Sequence, residues 1–155
     1  MEPIDTRRGP FRISTDKSLL DVPLVHLWLT TATYWATDRS LETVRKSIEH
    51  SLCFGVYEST RLVGFARVVT DYATFAWLCD VFILEEFRGR GLGSWLVETI
   101  AAQPVLQSQL FILATRDAHG LYERHGGFEL LAAPERWMTR PRPKGPTPLE
   151  SDPGR

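Results

Sequence analysis

An apolar run followed at once by a glycine-rich turn constrains this chain more than any other segment does. Residues Ala76–Leu84 are apolar and aromatic, which predicts a central β-strand. Residues 85–93 then read EEFRGRGLG, and Leu92, Leu96 and Ile100 fall on one stripe of a following helix. Backbone amides in such a turn can point at an anion, and the start of a helix adds about half a positive charge. The order strand, glycine-rich turn, helix therefore predicts an anion cradle.

Two other kinds of phosphate-binding turn fit these residues poorly. A P-loop needs a lysine between glycine and serine, and Gly93-Ser94 has none. A dinucleotide fingerprint needs glycine or alanine where Ser94 stands, and it normally lies in the first strand-helix unit. An ordinary turn with two solvated arginines, Arg88 and Arg90, stays open on spacing alone.

The remaining elements follow from periodicity and capping residues. Asp21 is expected to cap a helix that ends near Trp28, and Ser40 a second helix. The other predicted elements are strands at Phe11–Ser14, Leu52–Glu58, Leu62–Val69, Gln109–Ala114, Phe128–Leu131 and around Trp137, and a helix at Ala118–Arg124. We expect one domain over residues 1–139. Residues 140–155 are expected to form a flexible proline-rich tail, because the last fifteen residues hold five of the ten prolines.

Composition narrows the classes of partner. The chain is 43% hydrophobic and carries a formal net charge of -1, so it can bury a core but offers no basic surface for nucleic acid or an anionic membrane. We expect no spanning helix and no signal peptide, and hence a cytoplasmic protein. Cys53 and Cys79 lie in apolar runs and are predicted to be reduced core residues. The four histidines lack metal-ligand spacing, so no metal is expected.

The turn and its surroundings resemble the GCN5-related N-acetyltransferase (GNAT) family. The family's pyrophosphate loop has Arg or Gln, two variable residues, Gly, one variable residue, then Gly or Ala, and Arg88, Gly91 and Gly93 match it in full. Upstream, residues 80–89 read DVFILEEFRG and follow the family's D-L-Y-V-x-P-x-Y-R-G, with Glu85 in place of proline.

A second family motif, Asn-x-x-Ala-x-x-Phe/Leu-Tyr-x-x-x-Gly-Phe, is similar to the segment that begins at Thr115. The matching residues are Ala118, Leu121, Tyr122, Gly127 and Phe128. Thr115 stands where asparagine is usual, and His125-Gly126 lengthens the gap by one residue. The resemblance covers roughly residues 11–137.

The resemblance implies an α/β (α+β) fold with a central mixed, mostly antiparallel sheet flanked by helices. It implies transfer of an acetyl group from acetyl-CoA to a primary amine by direct attack, with a small-molecule acceptor. The backbone of Val81 and Ile83 would pair with the pantetheine arm, and an amide near Ile83 would polarise the thioester carbonyl. The implied coenzyme-binding residues are Val81, Phe82, Ile83, Arg88, Gly89, Arg90, Gly91, Leu92, Gly93 and Ser94.

Two residues are candidates for catalysis. Tyr122 occupies the family's tyrosine position and is the leading candidate for the general acid, although a packing role stays open. Asp80 could act as a base through water, but a regular strand would turn it to the face opposite Val81 and Ile83 unless a bulge intervenes. Glu85 and Asp71 are weaker candidates for the base.

Tyr34 and Trp35 lie in the connector between the first two helices, which borders the acceptor cleft in GNAT proteins, so they are candidates for binding the acceptor. Capping the core is the other interpretation of this pair. Cys79 as an acetyl carrier is disfavoured, because an apolar strand raises a thiol pKa.

Two other functions stay open, namely an acetyl-CoA sensor without turnover and an acyltransferase that uses another acyl-CoA or a protein amine. A homodimer also stays open. The sequence does not identify the acceptor.

Overall fold

The sheet follows the order of the chain. A computed structural model describes residues 1–107 and 110–141, and within these residues six strands form one sheet in the order β1 to β6. Neighbouring strands are antiparallel, except that β5 and β6 are parallel. The strands are β1 (Asp5–Arg8), β2 (Phe11–Ser14), β3 (Leu52–Glu58), β4 (Arg61–Thr70), β5 (Phe75–Ile83) and β6 (Leu110–Leu113). The mixed, mostly antiparallel sheet expected from the sequence is confirmed.

Helices cover both faces of the sheet. In the described ranges they are α1 (Val22–Ala32), α2 (Leu41–Glu49), α3 (Leu92–Ala101) and α4 (His119–Gly126). The predicted caps are present: the Asp21 carboxylate accepts the Leu24 amide at 3.0 Å, and the Ser40 hydroxyl accepts the Thr43 amide at 3.1 Å. Helix α1 continues to Ala32, beyond its predicted end at Trp28.

Each face of the sheet has its own hydrophobic core. On one face Phe54 and Leu96 are fully buried, in the cluster to which α3 and α4 contribute. On the other face Val25 and Phe65 are buried, in the cluster to which α1 and α2 contribute. Burying side chains of this size stabilises the fold by about 1.5–3 kcal/mol each. The helices are thereby fixed on the sheet, and so are the loops that connect them to it.

The ends of the chain differ from the prediction. Strand β1 was not predicted, because its sequence DTRR is polar and it pairs only with β2 at the edge of the sheet. The strands predicted at Phe128–Leu131 and around Trp137 are wrong: the chain has no strand after α4 up to residue 141. Pro134 lacks an amide donor and starts a 3-10 turn instead.

Three further expectations concern the first residue of β6, the C-terminal tail and membrane-spanning helices. Gln109, the predicted first residue of β6, lies outside the described residues, and so does the predicted tail from residue 142 onward. The boundary at residue 139 therefore stays a prediction. In the part of the chain that the structure describes, no helix is long and apolar enough to cross a membrane.

Candidate active site

A cleft opens where β5 and β6 separate. Their pairing begins at Phe75 with Leu110 and ends at Leu78 with Leu113, while β5 continues to Ile83. The last residues of β5 therefore present a free backbone edge. The cleft has a volume of about 910 Å³, and its walls come from this edge, the glycine-rich turn, the start of α4 and the α1–α2 connector. The glycine-rich turn and the α1–α2 connector therefore border the same cavity.

The glycine-rich turn forms one end of the cleft. Gly89 and Gly91 have positive φ angles of 75° and 76°, a conformation that glycine adopts without strain. Gly91 is the N-cap of α3 and supplies no side chain to the first free amides of the helix. Apart from Gly91 and its two chain neighbours, no described residue has a heavy atom within 4 Å of the place that a Gly91 Cβ would occupy. The amides at the start of α3 are thus accessible to an anionic ligand.

The two arginines of the turn differ in position. The Arg88 Nε donates to the Ile83 carbonyl at 2.9 Å, and its guanidinium lies 5.6 Å from the Phe82 ring. Arg88 lines the cleft. The Arg90 guanidinium lies instead over the Phe87 ring at 5.0 Å, and Arg90 is not part of the cleft wall. Of these two arginines, only Arg88 therefore lines the cleft.

The free edge of β5 offers backbone donors to a ligand. The Leu84 amide donates to the Val63 carbonyl on β4 at 2.9 Å. Because successive amides along a strand point to opposite edges, the Ile83 amide faces the cleft. Phe82 contributes to the cleft wall, but its ring packs against Trp28 with centroids 5.4 Å apart.

A β-bulge determines where Asp80 points. Phe65 pairs with Phe82 and Arg67 pairs with Cys79, so two residues of β5 face one residue of β4. Asp80 takes a positive φ of 53° at this bulge. Its side chain lies beside the connector between α1 and α2, whereas Val81 and Ile83 pack with the cluster to which α3 and α4 contribute. Asp80 is therefore on the face opposite Val81 and Ile83, as their parity predicts.

The Asp80 carboxylate is buried and fully engaged. It accepts the Trp35 indole N–H at 3.0 Å, Arg39 Nη1 at 2.8 Å from both oxygens, and Arg67 Nε at 2.9 Å. Only 1% of its side chain is exposed. Arg67 also donates to the Ser51 hydroxyl at 3.0 Å. Asp80 thus ties the connector between α1 and α2 to the centre of the sheet.

Tyr122 lies on α4 at the wall opposite the edge of β5. Its ring is buried and packs edge-on against Phe128 with centroids 6.1 Å apart. Burial, with a smaller effect from the nearby Tyr34 phenol, raises the pKa of Tyr122 to about 12. The start of α4 is fixed by Thr115, whose hydroxyl accepts the Ala118 amide at 3.1 Å. The residue that replaces the family's asparagine therefore holds the segment just before α4, whose N-cap, Ala118, forms no side-chain cap.

Aromatic side chains form the wall at the far end from the turn. Tyr34 and Trp35 meet edge-on with centroids 5.0 Å apart, and Tyr34 is 52% exposed. The Arg116 guanidinium lies 4.0 Å from the centre of the Tyr34 ring. Both predicted acceptor residues therefore line the cleft, and neither is buried in the core.

The weaker candidates for the base lie outside the cleft, and the candidate acetyl carrier, Cys79, is poorly ionised. Glu85 and Asp71 do not line the cleft, and Asp71 accepts three turn amides and the Thr74 hydroxyl, which lower its pKa. Cys53 is buried as predicted, whereas Cys79 is only half-buried and lines the cleft. Burial raises the pKa of the Cys79 thiol to about 11, so little thiolate is present at neutral pH. Within the described residues no group of His, Cys, Asp and Glu could hold a metal ion.

Three arginines of this region were not predicted from the sequence. Arg67 interrupts the apolar run of β4, and a charge in a buried strand indicates a partner, so this residue could have been found. Arg39 and Arg116 lie in connecting segments where a charged residue is unremarkable, and no sequence pattern marks them.

Comparisons with known proteins show the family to which this chain belongs. Residues 22–128 match the Acetyltransferase (GNAT) family. A crystal structure of a GNAT-family protein from Xanthomonas campestris pv. campestris is 50% identical, covers 86% of this chain and 94% of its own, and has a TM-score of 0.82. A Gibberella zeae protein named "Putative acetyltransferase FG08082" is 29% identical over 83% of this chain and 84% of its own length.

A more distant structure, Rv2747 from Mycobacterium tuberculosis, is 16% identical with a TM-score of 0.59, covers 74% of this chain and 69% of its own, and shares the fold. The family match spans the glycine-rich turn, the free edge of β5 and Tyr122, the three parts of the cleft that the sequence singled out. Acetyl-CoA is the acyl donor of this family. The chain is an acyltransferase and belongs to the GNAT acetyltransferase family.

Proposed function

We propose that this protein transfers the acetyl group of acetyl-CoA to the primary amine of a small molecule by direct attack. One observation carries the proposal: the anion cradle, the free edge of β5, Tyr122 and the aromatic wall all line a single cleft. The structure of Rv2747, which shares the fold, was determined in complex with CoA, and this supports the same kind of occupant here.

The coenzyme would lie along the free edge of β5. The amides at the start of α3, with Arg88 beside them, would hold the pyrophosphate. The backbone of Val81 and Ile83 would pair with the pantetheine arm as an added strand does. Arg90, which lies outside the cleft, would contribute only long-range attraction.

The reaction then needs the amine, the thioester, a hydrogen-bond donor for the carbonyl oxygen and a proton donor for the sulfur in one place. The amine nitrogen attacks the carbonyl carbon of the thioester, and the Ile83 amide stabilises the negative charge that develops on the carbonyl oxygen. The carbon–sulfur bond breaks, and the sulfur takes the phenolic proton of Tyr122. The nitrogen of the new amide loses its extra proton to water, and Tyr122 regains a proton from solvent.

We propose that Asp80 positions the acceptor wall and does not act as the base. Its two oxygens already accept hydrogen bonds from Trp35, Arg39 and Arg67. A carboxylate has about four lone-pair positions, and these contacts occupy them, so none is left to take a proton from the amine. The amine would therefore bind in its neutral form, or pass its proton to water.

Replacing Gly91 with valine should weaken acetyl-CoA binding by about a hundredfold or more. The valine side chain would fill the open space over the free amides, and losing two hydrogen bonds to a charged group has roughly this effect on affinity. Calorimetric titration with acetyl-CoA measures the change.

Gly9→Val is the matched control for this substitution. Gly9 also has a positive φ, 57°, and no described residue other than its chain neighbours lies within 4 Å of its missing Cβ, but it lies in the β1–β2 turn and not in the cleft wall. It should carry similar backbone strain and leave affinity unchanged. Equal affinities of the wild type and Gly91→Val would refute the proposed cradle.

Other parts of the expected function stay predictions. A cytoplasmic location, a homodimer and the choice of acetyl-CoA over other acyl donors fall in this group. A turnover assay distinguishes an enzyme from an acetyl-CoA sensor. Mass spectrometry of intact proteins, compared with a panel of small amines, distinguishes a protein acceptor from a small-molecule acceptor.

A further inference from the structure

We infer that the acceptor is a primary amine that also carries an anionic group, a carboxylate or a phosphate, which Arg39 and Arg116 bind. The inference rests on the proposed function and names the chemical class of its acceptor. It follows from the charges that the connector and the start of α4 bring to the acceptor end of the cleft.

The buried charges at this end do not balance. The Asp80 carboxylate lies between two guanidiniums, those of Arg39 and Arg67, whose side chains are only 17% and 10% exposed. Buried charges are normally paired, because removing them from water is costly. One positive charge of this group therefore lacks a counter-ion among the residues that the structure describes. Among the described residues, Asp80 and Asp117 are the only carboxylates in the cleft wall.

Arg39 is held so that part of its guanidinium remains available. Its Nη1 serves both oxygens of Asp80, and in the described residues its Nε and Nη2 make no hydrogen bond. Arg39 lines the cleft, and a guanidinium fork whose orientation is already fixed loses little entropy when it binds a carboxylate or phosphate. Asp80 thus holds the anion-binding residue in place.

Arg116 supplies a second cation at the other side of the same wall. A chain of contacts connects the two arginines: Arg116 lies over Tyr34, Tyr34 packs on Trp35, and Trp35 donates to Asp80, which holds Arg39. The Asp117 carboxylate lies 3.4 Å from the Arg116 guanidinium. The Arg116 side chain is 64% exposed and the Asp117 side chain is 71% exposed. A pair this exposed contributes little and can yield to a ligand.

The same charges suit the chemistry of the amine. A cationic ammonium is disfavoured beside guanidiniums, so the positive wall favours the neutral amine that must attack the thioester. The anionic group of the acceptor would provide the attraction that the ammonium cannot. Tyr34 is close enough to raise the pKa of Tyr122, so this wall adjoins the proposed general acid.

The test uses matched pairs of amines that differ in the anionic group. The pairs are β-alanine and propylamine, 4-aminobutyrate and butylamine, tyrosine and tyramine, and O-phosphoethanolamine and ethanolamine. Each is titrated by calorimetry into the full-length protein saturated with CoA, which cannot react. In at least one pair we expect the anionic member to bind about ten- to a hundredfold more tightly, as a charge-assisted contact would give.

Two variants test whether Arg39 and Arg116 cause the preference for the anionic amine. Arg39→Gln and Arg116→Gln should each reduce it severalfold while CoA affinity stays unchanged, and Arg7→Gln, at an exposed position on β1 outside the cleft, should not. If Arg39→Gln unfolds because it breaks the contact with Asp80, the exposed Arg116→Gln still tests the inference. Equal or tighter binding of the neutral member in every pair, or no binding by any anionic member, overturns it. Anion-selective binding without acetylation by acetyl-CoA would instead refute the proposed function.

Discussion

Replacing Tyr122 with phenylalanine should lower turnover by roughly one hundred- to ten thousand-fold, the usual contribution of a general acid. The substitution removes only the hydroxyl, so the ring keeps its edge-on contact with Phe128 and its place against α3. Stability and acetyl-CoA affinity should change little. Initial rates with an identified acceptor and a binding titration of the same variant measure the two quantities separately.

Tyr34→Phe is the matched control, because it removes a hydroxyl from the facing wall of the same cleft. We expect it to reduce turnover by less than about tenfold, since it would not donate the proton. Wild-type turnover in Tyr122→Phe would exclude the acid role. Equal losses of binding and turnover would show that the phenol only contacts the coenzyme.

The pH dependence should reflect the environment of Tyr122. A general acid is active in its protonated form, and burial raises the pKa of this phenol to about 12. The active form therefore persists to higher pH than an ordinary tyrosine would allow. Activity should not decline through this residue near pH 10, and a decline there that disappears in the phenylalanine variant would contradict the assignment.

Replacing Asp80 with asparagine should lower the free energy of unfolding by about 3 kcal/mol, the cost of removing one partner from a buried ion pair. In a domain of this size the melting temperature should fall by roughly 6–12 °C. Arg39 and Trp35 would lose their tether, so the KM for the acceptor should rise while acetyl-CoA affinity stays near its wild-type value. Thermal unfolding and steady-state kinetics measure these effects.

The kinetics of this variant also separate positioning from base catalysis. If Asp80 were the base, kcat would fall steeply and the pH profile would lose its acidic limb. A positioning residue leaves the shape of the profile intact. Asp5→Asn, which breaks a surface ion pair with Arg12, is the control for loss of charge and should cost less than about 1 kcal/mol. An Asp80→Asn protein with unchanged stability and unchanged KM would refute the tether.

The coenzyme side of the site was predictable because local sequence determines it. The positive φ at Gly91, the uncapped start of α3 and the strand before the turn are all encoded within residues 76–93. Tyr122 could also be named as a candidate from sequence, since its motif is confined to residues 115–128, a short segment that contains α4. The site residues themselves stay a hypothesis until variants are measured, although the cleft brings most of them together.

The acceptor side could not be predicted in the same way, because it depends on contacts between distant segments. The bulge that turns Asp80 toward Arg39 arises from the register between β4 and β5, and a single sequence does not specify register. The C-terminal strands were wrong for a related reason: a short apolar run forms a strand only where another strand pairs with it, and no described residue after α4 pairs with the sheet. Long-range pairing, rather than local propensity, determined both outcomes.

The most direct test of the proposed function incubates the protein with acetyl-CoA and a panel of primary amines, and follows the CoA thiol and the acetylated product together. We predict that one or more amines produce thiol and N-acetyl product in equal amounts, and that Tyr122→Phe slows both by the same factor. Tight binding of acetyl-CoA with no amine-dependent release of thiol, across the small amines and protein amines tested, would contradict the account and identify a coenzyme-binding module without turnover.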